Sequence, residues 1–367
     1  MNKLSCSHKK TAMKYIYTFL ILCMAGQLSA QQLPGFTIVK KNDATSIKNQ
    51  SRSGTCWSFA AVSFIESELL RQGKRPLDLS EMYIARMIYQ QKATMYVRMM
   101  GHSFFTAGGQ PHDVMNAIRD FGIVPESVYS GRIHGEQYHN HARLDTAAKK
   151  FVVSISKKKG RQLPVNWQAD FSAILDAQLG NVPQTFAYQG KRYTPQSYAK
   201  TQVGLNTNDY ITLTSYNHHP FYQPFCLESR YNWSFGLYHN VPLNEFMQTI
   251  DYALEQGYTL VWNGDVTEKT FKFRSSLATI PGNQNIDQQM RQASFDNHAT
   301  TVDHVMHIVG IAQKGKEKYY IVKNSWGTHN QCGGYMYLSE GFIKLKTVSL
   351  MLHKEALLKI LKKKLKF

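Results

Sequence analysis

The sequence predicts an α+β protein of two lobes, helices first and strands last. Two observations carry this. Residues 56–65 are almost unbroken apolar, and with the charged continuation to residue 70 they read as a helix buried on nearly all sides at its start. Near the other end, residues 305–311, 319–322 and 335–338 are short β-type runs separated by glycine-containing turns.

The remaining elements follow from local signals. The first helix gains Glu66 and Glu68 and stops near Gly73 and Pro76, and Ser80 is placed to cap a second helix opening at Glu81. A third fits 111–121, with Pro111 suited to a first turn and Gly122 to a C-terminal stop. Residues 132–233 are mixed in pattern, rich in Tyr, Pro, Asn and His, contain Lys157-Lys158-Lys159, and read as an insertion. Beyond it, 243–256 has helical spacing and 259–262 reads as a strand. Over 353–367, Leu357, Leu358, Leu361 and Leu365 alternate with six lysines as a basic amphipathic helix. The expected organisation is therefore a leader (1–30), a helical lobe (31–131), the insertion (132–233), a β-rich lobe (234–352) and the terminal helix (353–367).

At 367 residues, 43% hydrophobic and 19% charged, the chain can bury a large core, which excludes a disordered or fibrous protein. Lys3, Lys9, Lys10 and Lys14 precede an apolar run over 15–25 and then Leu28-Ser29-Ala30, the layout of a secretory signal cleaved after Ala30. No other stretch reaches the ~20 apolar residues of a membrane span, so the expectation is an exported periplasmic or extracellular protein with no transmembrane anchor after cleavage. The formal charge of +18 falls by four with the leader and stays strongly basic. Such a charge favours anionic partners in general, but no motif for specific nucleic-acid binding accompanies it. Cys6 and Cys23 leave with the leader; Cys56, Cys226 and Cys332 remain, enough for one Cys226–Cys332 bridge but not for a disulfide framework.

The chemistry concentrates in three segments. Gln50-Ser-Arg-Ser-Gly-Thr-Cys56-Trp57-Ser-Phe-Ala places a thiol at a helix N-terminus, where the macrodipole favours thiolate. Gln50 can set its side-chain amide beside the Cys56 N–H as a second oxyanion donor. Asp303-His304-Val-Met-His307 offers two imidazoles on opposite faces of a strand. In Asn324-Ser325-Trp326-Gly327, an amide oxygen can hold one imidazole nitrogen while an indole shields that bond from water. No metal or organic cofactor is needed.

The pattern Gln-x5-Cys-Trp-Ser-Phe-Ala, then Asp-His-Val and Asn-Ser-Trp-Gly, resembles the papain-like cysteine peptidases. That resemblance selects His304 over His307, since Gly310 follows six residues later, and makes Cys56, His304, Asn324 and Gln50 the expected catalytic set, supported by Trp57 and Trp326. Leu79-Ser80-Glu81 and Gly108-Gly109 also match, and the second glycine's backbone pairs with the substrate main chain in that family. It further implies a two-lobed fold with the cleft between a helical lobe and an antiparallel, β-barrel-like one. His304 lies 248 positions after Cys56, against roughly 130–150 in simple papain-like enzymes. That spacing, together with 179–183, 210–226 and 261–265, is similar to the bleomycin hydrolase and aminopeptidase C branch.

The implied activity is hydrolysis of peptides through a thioester. Because the chain stops at Phe367, too soon for the cleft-blocking arm of that branch's aminopeptidases, the expectation is an endopeptidase. Aminopeptidase action is the alternative, followed by a basic anion-binding protein with a degenerate site. Ser53 stands where papain has a disulfide cysteine, which fits the branch, and the stretch before Gln50 is too short for the propeptide of secreted zymogens. Intracellular members are restrained by assembly into a hollow hexamer, so self-association is a further expectation of the resemblance.

Overall fold

A computed structural model describes residues 32–133, 135–157, 160, 162–281 and 285–367; the expected leader, Lys158 and Lys159 lie outside the described residues. Three helices form the first lobe: α1 (Cys56–Arg71), α2 (Glu81–Arg98) and α3 (Pro111–Phe121). Every α1 residue from Trp57 to Leu69 is buried, including Glu66 and Glu68. Their carboxylates are compensated: Glu66 accepts from the Leu79 N–H at 2.9 Å and faces Lys48, and Glu68 takes two bonds from Arg71. Ser80 Oγ accepts the Tyr83 N–H at 2.9 Å, a cap worth about 1 kcal/mol. Pro111 opens α3 and Gly122, at φ 80°, ends it.

Residues 132–233 contain two helices that the mixed pattern had hidden, α4 (Ala142–Ser156) and α5 (Trp167–Leu179). Their buried faces, Leu144, Ala148, Val152 and Ile155 on α4 and Phe171 and Leu175 on α5, share one core with α2, where Arg86 meets Asp176 at 2.7 Å. The spacing on α4 is helical, but its small Ala148 and lysine-rich flank dilute the apolar signal. A hairpin of β2 (Phe186–Tyr188) and β3 (Lys191–Tyr193) and one turn, α6 (Pro195–Tyr198), follow.

The second lobe is built on a ten-stranded sheet of β1 (Thr37–Lys41), β4 (Tyr210–Thr214), β5 (Pro224–Cys226), β6 (Leu237–Asn240), β7 (Leu260–Gly264), β8 (Leu277–Ala278), β9 (His304–Lys314), β10 (Glu317–Lys323), β11 (Tyr335–Ser339) and β12 (Thr347–His353). The order is β5-β6-β4-β12-β7-β9-β10-β11-β8, with β1 added to β9. The expected β-rich lobe is therefore an open sheet rather than a closed barrel, and two of its pairings, β4–β6 and β8–β11, are parallel. Helix α7 (Leu243–Glu255) packs Phe246, Ile250 and Leu254 into the same core as Trp262 and Leu350. The short helices α8 (Gln288–Asp296) and α9 (Glu340–Lys346) complete the lobe's middle.

Val261, Val305 and Met351 from the sheet belong to the core of the helical lobe, so the two lobes meet on apolar side chains beside α1. The terminal amphipathic helix is shorter than 353–367: β12 uses the backbone through His353, a 3-10 turn covers Lys354–Ala356, and α10 runs only Lys359–Leu365. Its leucines dock as expected, with Leu357, Leu361 and Leu365 buried, and Lys364 pairs with Glu245 at 2.6 Å. Cys226, on the edge strand β5, and Cys332, buried among Leu33, Phe36 and Tyr319, are both free thiols, so the permitted bridge is not formed. Among the described residues no helix is long and apolar enough to cross a membrane.

Candidate active site

Cys56 is the first residue of α1, and the loop before it is held by side chains from three directions. Ser53 Oγ bonds the Gln50 carbonyl at 2.7 Å and Thr55 Oγ1 at 2.6 Å. Gln50 Nε2 donates to the Ser53 carbonyl at 2.8 Å, and Gln50 Oε1 accepts from Ser325 Oγ at 2.6 Å. One amide hydrogen of Gln50 is thus spent on the loop and the other has no acceptor among the described residues, while the Cys56 N–H, in the first turn, has no intrahelical acceptor.

His304 opens β9 and Asn324 follows β10, two adjacent antiparallel strands. His304 Nε2 and Asn324 Oδ1 are 2.8 Å apart, which leaves Nδ1 for the thiol. The Trp326 ring lies 4.5 Å from that of His304 at 31°, covering the His–Asn bond as expected. His307, three residues on, faces the opposite way: it is fully buried, with Nδ1 3.0 Å from Ser63 Oγ.

A cavity of about 260 Å³ is lined by Gln50, Cys56, Asp303, His304 and Trp326 on one side and by Thr106, Gly108, Gly109 and Tyr231 on another. The structure therefore brings Gln50, Cys56, His304, Gly108 and Gly109 to one cleft, with Asn324 buried behind the histidine. Trp57 is also buried; its Nε1 donates to the Ala107 carbonyl at 2.9 Å and its ring lies so close to Gly109 that a Cβ there would sit 2.8 Å away. At Gly108 a Cβ would come within 2.5 Å of the Tyr231 ring. Both positions thus require glycine for close approach.

The local electrostatics oppose charge on both groups. Although part of Cys56 reaches the cleft, burial pushes the thiol up to about 11, against the backbone N–H bonds that favour the thiolate. Burial likewise pushes His304 down to about 4, against the bond to Asn324. Burial thus disfavours either charge alone, while a thiolate and an imidazolium formed together compensate each other, so the two groups titrate as a pair. Asp303, beside them, is raised to about 7 by burial.

Two contributors were not singled out in the sequence. Ser325 sits inside the Asn-Ser-Trp-Gly motif, so its nearness to Asn324 was a signal for it. Lys48 bridges Asp78 and Glu81, each at 2.7 Å, and bonds the Leu79 carbonyl at 3.0 Å, anchoring the segment before Gln50 to the start of α2. Nothing short of the fold shows that second role.

A thiol, an imidazole oriented by an amide, and paired oxyanion donors in a cleft between a helical and a β lobe define a papain-like cysteine peptidase. Residues 10–366 match the Peptidase C1-like family, and the chain belongs to it. It is 22% identical over 361 residues to aminopeptidase G of Lactobacillus delbrueckii subsp. lactis, covering 85% of this chain and 82% of that one. Aminopeptidase C of Listeria monocytogenes is 23% identical over 357 residues, covering 85% and 81%. The crystal structure of pepw from Lactobacillus rhamnosis hn001 superposes with a TM-score of 0.71 at 19% identity, over 98% of this chain and 92% of that one, a likeness of fold.

Proposed function

We propose that this cysteine peptidase is a thiol aminopeptidase that removes residues from the free N-termini of peptides. The observation that carries this reading is the likeness to aminopeptidases over more than four fifths of both chains. Tyr231, from residues 132–233, stands against Gly108 and lines the cavity that holds Cys56, so that region contributes to the cleft.

In the proposed reaction His304 Nδ1 takes the Cys56 proton and the thiolate attacks the scissile carbonyl carbon. The oxyanion receives the free Gln50 amide hydrogen and the Cys56 N–H. The imidazolium then gives its proton to the departing amine nitrogen, leaving a thioester on Cys56. Water, deprotonated by His304, hydrolyses that ester and restores the thiol. Asn324 keeps Nε2 occupied throughout and so fixes which nitrogen moves the proton.

Endopeptidase action is the alternative reading. Incubating the protein with free and N-acetylated forms of one peptide separates the two. Stepwise loss of residues from the free form alone is expected; internal cutting of the acetylated form overturns the aminopeptidase reading. We also propose export through residues 1–30, which N-terminal sequencing of protein recovered outside the cytoplasm would support by starting at Gln31.

A further inference from the structure

Lys92 lies in the middle of α2 and is only 2% exposed, an unusual place for an ammonium group. Among the described residues no salt bridge satisfies it. Nζ donates instead to the carbonyls of Thr106, at 3.1 Å, and of Gly108. Those carbonyls belong to the segment whose other side lines the cleft beside Cys56. The Trp57 and Trp233 rings, 5.7 and 5.8 Å from Nζ, supply the rest of its surroundings.

We propose that Lys92 is a positioning residue that holds the backbone of 106–109 in the conformation that receives the substrate main chain. The segment needs such a clamp: Gly108 and Gly109 have no side chains to anchor it, and a charge-assisted bond to a carbonyl is roughly twice as strong as a neutral one. The clamp touches neither Cys56 nor His304, so its loss acts on substrate binding. It rests on the cleft being the peptide site but is indifferent to whether cutting is terminal or internal.

The charged groups facing Nζ are two carboxylates. Asp113 on α3 is already committed to Trp233 Nε1, Ser234 Oγ and the Gln110 N–H, with the imidazole of His112 beside it pushed down by burial, and Asp145 on α4 takes the Tyr89 hydroxyl. Neither outweighs desolvation, and Lys92 is lowered to about 8. Above that pH a neutral amine keeps only weaker bonds.

The test is steady-state kinetics on a free-amine peptide and on its N-acetylated form. Lys92→Met is expected to raise KM by about tenfold or more with kcat within about twofold, while alkylation of Cys56 by iodoacetamide proceeds at the wild-type rate. Lys92→Arg is expected to recover most of the binding. Should Lys92→Met fail to fold, Lys92→Gln, which keeps a donor without the charge, is expected to raise KM at least about threefold at pH 7. An unchanged KM in a folded Lys92→Met or Lys92→Gln variant overturns the clamp. Cleavage of the acetylated peptide with the same KM response would instead overturn only the aminopeptidase reading.

Discussion

Ser325 Oγ donates to Gln50 Oε1 at 2.6 Å, joining the strand-rich lobe to the oxyanion loop of the helical one. The backbone repeats the link, since the Gln50 N–H donates to the Ser325 carbonyl at 2.8 Å. The residue beside Asn324 thus aims the donor opposite His304. Gln50→Ala is expected to lower kcat by ~10²–10³ with a smaller effect on KM, because the donor acts on the transition state. Ser325→Ala, which leaves the backbone link and the Ser53 bond in place, is expected to lose only about tenfold. Steady-state kinetics on one peptide decides both, and a Ser325 variant as impaired as Gln50→Ala would show that the backbone alone does not hold the loop.

The two histidines of β9 separate catalysis from stability. His304→Ala is expected to abolish turnover nearly as completely as Cys56→Ala. His307→Ala removes a fully buried ring packed on Phe64 and is expected to cost about 2–4 kcal/mol of stability while retaining most of the kcat of the folded fraction. Melting curves recorded with the kinetics test this, and a reversed outcome would reassign the base.

The burial of Cys56 predicts how it labels. Without an imidazole to take its proton, the thiol keeps the high pKa that burial imposes, so in His304→Ala the iodoacetamide rate at pH 7 is expected to fall more than about tenfold and to climb still at pH 10. A labelling profile that levels off near pH 8 in this variant would show that the helix terminus prevails over burial.

His141 gives a stability prediction with a definite sign. It is 3% exposed, both ring nitrogens lack partners among the described residues, and burial holds it down to about 4. The unfolded chain therefore binds the extra proton first, so this residue's contribution is fully present above about pH 6.5 and is lost as pH falls toward 4. His141→Leu removes that dependence. Its stability relative to wild type is expected to improve by about 1–3 kcal/mol between pH 7 and pH 4, as read from paired denaturant titrations. A constant difference would exclude proton uptake at this ring.

Much of this was legible in the sequence because the site residues sit in local signals. Cys56 opens an apolar run, His304 starts a strand and Asn324 ends one, so their types and order were readable before their distances. What the sequence did not yield has three physical causes. Burial is a tertiary property, so the raised thiol of Cys56 could not be foreseen from its helix position. Lys92 and Lys48 work by reaching carbonyls and carboxylates brought close only by the fold. The leucines at the carboxyl end have helical spacing whether or not the backbone is free, and β12 had already used it through His353.

Strand β12 pairs with β4 on one side and β7 on the other, so the centre of the sheet is made from residues 347–353. During synthesis β4 and β7 emerge long before the strand that joins them, and His304 and Asn324 stand on a sheet still missing its middle. A chain cut before residue 347 would keep Cys56 and its helix but lose the strand that joins β4 to β7, so the sheet that carries His304 and Asn324 would be split into two parts.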